Sequence, residues 1–408
     1  MKSVAGARSW ATVALASLTL FAPAVAVAAT APPTGGQPAG STPTGGAAVS
    51  VVATGLAAPK YVTVGPDGLY VADSGTGGKS CVVGVANTTV THVCAGATGS
   101  IVRISGHQVS TLESGVASAS VASTHGVSGV TAIGFTGGRM AVLMDDGGVG
   151  PTGVSAIASP YGECFGKLDL AASNSGGPLT TVADIAAFQA THPQSPAALG
   201  GLPGETLYDS DPHDMVAYQG GFAVADAAAN DVVLVKNSGP VSVLARIPTR
   251  QETAPAGTLG PGSPAMPIRA QAVPSSVAVG PDGALYVGLL RGVPSLPGTA
   301  EVDRIVAGKA PEPVVTGLTR VSDIAFDAKG RLDILESGTT GGGVAPTSTG
   351  ALLRATLHGS KPTTATNLEV HGLNSPVGLA IARSGTVYIT NDTTTPGKGE
   401  LIAVNGLT

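Results

Sequence analysis

The chain has 408 residues, of which 59 are Gly and 30 are Pro; only 12% are charged, and the net charge is −5. With no long Lys/Arg run and 3% aromatics, it lacks both the electrostatic footprint of a nucleic-acid binder and the stacking platforms of a single-strand binder. Few charges and many small apolar and β-branched residues suit a β-rich fold with tightly stacked side chains.

In chain order, Lys2 and Arg8 form a positive n-region, Trp10 to Phe21 is mostly apolar, and residues 24–29 supply small residues for cleavage. Residues 1–28 therefore read as a secretory signal peptide, and an extracellular location is expected. The apolar stretch is short and Pro23 follows it, which disfavours a stable span of about 20 residues. No other segment suits a membrane span, so none is expected after cleavage. Residues 29–47 are rich in Pro, Gly and Thr and read as a flexible linker. The folded part is expected over 48–408. Three cysteines fit an exported protein. Cys81 and Cys94 lie in one insertion and are expected to form a disulfide. Cys164 is then either buried and free or paired with another molecule.

Six times an apolar strand runs into a Gly-centred turn and then into a second apolar strand. The turn glycines are Gly68, Gly138, Gly221, Gly283, Gly330 and Gly385. A unit repeated at about 40–50 residues or more is one blade of a radial array. Third strands follow at 100–104, 167–170, 232–236, 301–306, 352–354 and 400–404, and fourth strands at 109–112, 241–244 and 313–316. Little chain remains after the last unit, so residues 49–54 are expected to supply its fourth strand and close the ring. The expected fold is all-β: a six-bladed β-propeller closed by its N-terminal strand. The longest interval, Gly138 to Gly221, is expected to hold one short amphipathic helix over 181–192, capped by Thr180 or Thr181 and ended by Pro193. A seventh blade hidden in that interval is the alternative.

The unit Gly-Leu-x-x-Pro-x-x-Val-x-Val-Gly-Pro-Asp-Gly-x-Leu-Tyr-Val resembles NHL-type propeller repeats. More specific is the order of segments. Val71-Ala-Asp-Ser-Gly-Thr-Gly-Gly78 leads to the Cys-flanked insertion, then to Gly99-Ser-Ile-Val-Arg-Ile104, Gly166-Lys-Leu-Asp-Leu170, Val182-Ala-Asp-Ile-Ala-Ala-Phe188, the strand pair at 273–288 and the segment at 317–326. In that order they resemble the ScyD/ScyE family. The resemblance implies a secreted six-bladed propeller and carries no agreed activity or catalytic residues. The chain departs from the family at Asp211-Pro-His-Asp-Met-Val216 and at Leu289-Leu290-Arg291.

Aligning the units places Tyr61, Asp214, Ser276, Asp323 and Gly378, with Thr131, at equivalent starts of the channel-lining strands. Lys60 and His213 stand beside them. Lys60, Tyr61, Asp214, Ser276 and Asp323 are the expected ligand-binding set. Carboxylates held together raise one another's pKa or recruit a cation, so calcium is the one cofactor considered, with Asp73, Asp214, Asp323 and Glu336 as its ligands. The alternative is that the axial carboxylates bind strand-end N–H groups. A second set, Asp73, Asp145, Asp226, Glu336 and Asn391, ends the next strands; backbone turn chemistry is the favoured reading there. His213, between Asp211 and Asp214, is the general-base candidate. No phosphate cradle, nucleophile elbow or zinc spacing is present. The expected function is a monomeric, secreted binding or assembly module that presents its channel face and loops to a small molecule, glycan or protein. The alternative is a metal-assisted hydrolase or lyase at the channel mouth.

Overall fold

A computed structural model describes residues 47–407 apart from 87–88, 107, 123–125, 146–159, 193–209, 259–261, 340–348 and 360. The expected signal peptide and nearly all of the linker lie outside the described residues.

Six antiparallel sheets stand around one axis, each meandering outward from its channel-lining strand. The channel-lining strands are Pro59–Gly65, Val130–Thr136, Pro212–Tyr218, Pro274–Val279, Val321–Phe326 and Leu379–Ile381. Blade 6 has only three strands of its own: Leu379–Ile381, Val387–Asn391 and Gly399–Asn405. Its fourth is Ala48–Leu56, which pairs antiparallel with Gly399–Asn405 from Ala48 opposite Asn405 to Leu56 opposite Gly399. The expected closure by the N-terminal strand is therefore the observed one.

The core lies between blades. Successive side chains of a strand point to opposite faces, and each blade is covered on both. In Gly221–Asp226 of blade 3, Phe222 and Val224 pack with Leu143 and Leu168 of blade 2. The intervening Ala223 and Ala225 pack with Leu285 and Val287 of blade 4. Equivalent clusters fill the other junctions, including Leu401 and Ala380 of blade 6 against Val62 and Val71 of blade 1. Two-sided burial is why these strands read as continuous apolar runs.

The two Gly-Pro-Asp-Gly copies are built alike. A Cβ on Gly65 or Gly280 would collide with the ring of Tyr70 or Tyr286, so glycine there admits the tyrosine. Asp67 accepts the Tyr70 hydroxyl and an Arg103 N–H at 2.8 Å. Asp282 accepts from Tyr286 at 3.3 Å and Arg304 at 2.8 Å. Each tyrosine then meets a phenylalanine of the next blade edge-to-face: Tyr70 with Phe135 at 4.7 Å and Tyr286 with Phe326 at 4.9 Å.

Two local expectations need correction. The helix is Ile185–Thr191, and Asp184, not Thr180 or Thr181, caps it by accepting the Ala187 N–H at 2.8 Å. Residues Thr180–Asp184 form the fourth strand of blade 2, paired with Lys167–Leu170. The amphipathic pattern extended over both, but the open edge of Lys167–Leu170 needed a ladder partner, and that requirement won. The interval to Gly221 holds no seventh blade among the described residues. The Cys81–Cys94 disulfide is present and joins Ser80–Ala86 to Thr89–Ser105, which runs well beyond its blade. Cys164 has no disulfide partner and is half-buried.

Candidate functional site

Each channel-lining strand of blades 1 to 5 carries a β-bulge near its start. A bulge leaves one residue outside the ladder and turns its backbone groups away. Around the axis, backbone groups at and beside these strand starts need partners outside the ladders of their own blades. Side chains from neighbouring blades supply them all round the ring. Ser74 of blade 1 donates to Val130 O at 2.8 Å, and Thr131 of blade 2 to His213 O at 2.8 Å. Asp214 of blade 3 accepts from Met215 N at 2.7 Å and from Val277 N of blade 4 at 2.9 Å. Ser275 donates to Val321 O of blade 5 at 2.7 Å. Asp323 accepts from Ile324 N at 2.7 Å and from Leu379 N of blade 6 at 2.6 Å. Thr390 completes the circle by donating to Lys60 O at 2.6 Å.

Tyr61 crosses the circle. Only 3% exposed, it donates its hydroxyl to the bulge carbonyls of Ser275, in blade 4, and Ser322, in blade 5. Burial, then the charges of Asp214 and Asp323, holds its pKa well above 10, so it remains a donor. Burial lifts Asp214 to about 7 against the opposing pull of two N–H donors. Burial, and next the charge of Asp214, holds Asp323 well above the ordinary carboxylate range. Ser276 is fully buried and lies against Gly288 of its own blade; its neighbour Ser275 makes the bridge.

The residues at the ends of the second strands brace the loops beside them. Asp73 accepts from Ala57 N and Ala58 N at 2.9 and 2.7 Å, and Asp145 from Gly129 N at 2.6 Å. Asp226 accepts from Asp211 N at 2.8 Å, Glu336 from Thr319 N at 2.7 Å, and Asn391 from Asn374 N at 2.7 Å. Asp73, Asp214, Asp323 and Glu336 thus serve four different places around the ring. Among the described residues no group of three or more His, Cys, Asp or Glu is placed to hold a metal ion. The calcium set does not form one donor group.

What does converge lies where blades 1, 2 and 3 meet at the bulged end of the channel. His213 Nε2 stands 3.2 Å from Asp211 Oδ2. Burial pushes the imidazolium down, but the charge and hydrogen bond of Asp211 outweigh it and raise the His213 pKa above 6.5. Burial lifts Asp145 to about 7, with Lys60, Asp211 and His213 close enough to act on its charge. Lys60, Asp145, Asp211 and His213 therefore form one interacting group above the Tyr61 plug. Sequence reasoning put Lys60 and His213 together; it placed Asp145 only in the turn set and gave Asp211 only a supporting part. Ser275 was missed because the bulge shifts the bridging residue by one position from Ser276, and Thr390 because it lies on the second strand of blade 6, not on its channel-lining strand.

A six-bladed β-propeller with a bridged, tyrosine-plugged axis is the class these features define. A solved structure with this fold is a putative oxidoreductase (glucose dehydrogenase) from Thermus thermophilus, 15% identical with a TM-score of 0.50, the match covering 88% of this chain and 100% of that one. A soluble aldose sugar dehydrogenase from Escherichia coli matches at 13% identity and a TM-score of 0.46, covering 88% and 99%. Virginiamycin B lyase from Staphylococcus aureus matches at 12% and 0.43, covering 88% and 98%. At such identities a likeness speaks to fold alone. No protein-family model and no curated protein sequence matches the chain.

Proposed function

We propose that the protein is an exported binding module whose recognition surface is the channel mouth formed by Lys60, Asp145, Asp211 and His213, with a small molecule, glycan or protein as its ligand. The observation that supports this reading is the division of labour along the axis. Tyr61, Asp214 and Asp323 are engaged by backbone groups, whereas the mouth gathers a cation, an imidazole and two carboxylates from three blades, of which Asp145 also accepts the Gly129 N–H. The Cys81–Cys94 disulfide fits an oxidising compartment, and no described helix is long and apolar enough to cross a membrane. The ScyD/ScyE-like order of segments fits the same reading. Titration calorimetry against a glycan and organic-acid panel tests it. A ligand should be found whose affinity drops about tenfold in Lys60→Ala or His213→Ala; a ligand bound equally by both variants would remove the mouth from the site.

The contact between His213 and Asp211 favours a second reading, a hydrolase or lyase at the same mouth. Asp211 would orient the imidazole, and His213 would take a proton from the substrate or an attacking water. A metal assisting this reaction would have to be held by something other than the dispersed set Asp73, Asp214, Asp323 and Glu336. Metal analysis of purified protein tests that part, and His213→Ala tests the base: any hydrolysis found should fall by about two to four orders of magnitude.

A further inference from the structure

The hairpin Arg250–Ala254 and Met266–Ala270 belongs to no blade. It lies in the connection from blade 3 to blade 4, and its two strands pair with each other. Glu252, Ala254, Ile268 and Ala270 face inward and are buried, while Gln251, Thr253, Pro267 and Arg269 are exposed. An apolar residue opposite Ile268 would cost nothing to bury. Glu252 puts a carboxylate there instead.

Against this face stand Arg291, just after the second strand of blade 4, and Glu301 and Asp303 on its third strand, Ala300–Ile305. Glu301 accepts from both Arg291 and Arg250, and Arg250 also donates to Thr299 O at 3.2 Å. With these bonds made, a matched set of buried atoms has no partner among the described residues. The donors are Nε and Nη1 of Arg291 and Nε2 of Gln271; the acceptors are both oxygens of Glu252 and Oδ1 of Asp303. The four side chains are 3%, 6%, 8% and 4% exposed, respectively. Leaving a buried polar group without a partner is costly, and here such groups concentrate under one cover.

We propose that this polar nest beneath the hairpin is a binding site for a small neutral polyhydroxylated molecule of the monosaccharide or alditol class. An anion drawn to Arg291 would meet Glu252 and Asp303. A cation drawn to those carboxylates would meet Arg291 and Arg250. A hydroxyl both donates and accepts, so neighbouring hydroxyls on one carbon chain satisfy both sets at once. Since the hairpin shares no ladder with a blade, it can lift to admit the ligand with all six blades intact.

Calorimetry with D-glucose, D-mannose, ribitol and glycerol, with sodium glucuronate and calcium chloride as charged comparators, tests the site. At least one neutral polyol should bind saturably, and about tenfold more weakly in Glu252→Gln and in Asp303→Asn, which keep side-chain volume. Binding should also slow amide exchange across residues 250–254 and 266–270. The proposal falls if none of the four polyols binds, if only a charged comparator binds, if both variants bind as the parent does, or if protection appears only elsewhere.

Discussion

Replacing Tyr61 by Phe removes one oxygen atom from the centre of the ring and leaves the apolar ring in place. That oxygen carries the single O–H shared by the carbonyls of Ser275 and Ser322. Both carbonyls belong to bulge residues, which stand outside the ladders of their blades. In the variant they remain at a buried position without this donor. A buried group left unsatisfied costs about 1–3 kcal/mol, so a loss of about 2 kcal/mol is expected. At about 2 cal/mol/K of unfolding entropy per residue, a folded region of this size should lose about 2–3 °C in thermal midpoint. Urea unfolding followed by far-UV circular dichroism measures the loss directly, through a lower midpoint at unchanged slope. Tyr61→Ala adds a cavity and should cost about 3–5 kcal/mol. If Tyr61→Phe unfolds at the parent's urea concentration, the hydroxyl is not bridging the axis and the plug is not what holds blades 4 and 5 to blade 1.

Three further outcomes are expected. Leu56, 4% exposed where the closing strand meets blade 1, should cost about 2–4 kcal/mol as Leu56→Ala, and removing residues 47–56 should lower the melting midpoint by more than about 5 °C, read by circular dichroism. Asp145, Asp214, Asp303 and Glu336 are each lifted to about 7 mainly by burial. The folded state then holds these protons more tightly than the unfolded chain, so stability is greatest below the unfolded pKa, near 4, and declines as pH rises towards about 7. Melting scans across that window should show the decline, and Asp214→Asn should flatten it; a parent midpoint that rises with pH would contradict the buried, protonated state. Trp10 is the only tryptophan, so protein recovered after export and cleavage should show tyrosine emission alone; retained indole emission would place the leader on the mature chain.

The ring and its closure were legible because their causes are local. Turn glycines, period-two apolar runs and a missing fourth strand in the last unit depend on residues near one another in the chain, and the count of repeats settles the rest. The Cys81–Cys94 pairing was legible for the same reason, being 13 residues apart. The axis was not. Tyr61 meets a carbonyl 214 residues away, and Thr390 reaches Lys60 across 330. Which serine makes a bridge depends on a bulge that no periodicity announces, and whether Thr180–Asp184 continues a helix or completes a sheet depends on an edge waiting for a partner. The polar nest was hidden too, because Glu252 looks like one surface carboxylate among many until the hairpin folds it over Arg291. Strand order followed from the chain's own rhythm; the chemistry at the centre followed from which distant backbone groups the closed ring left in need of partners.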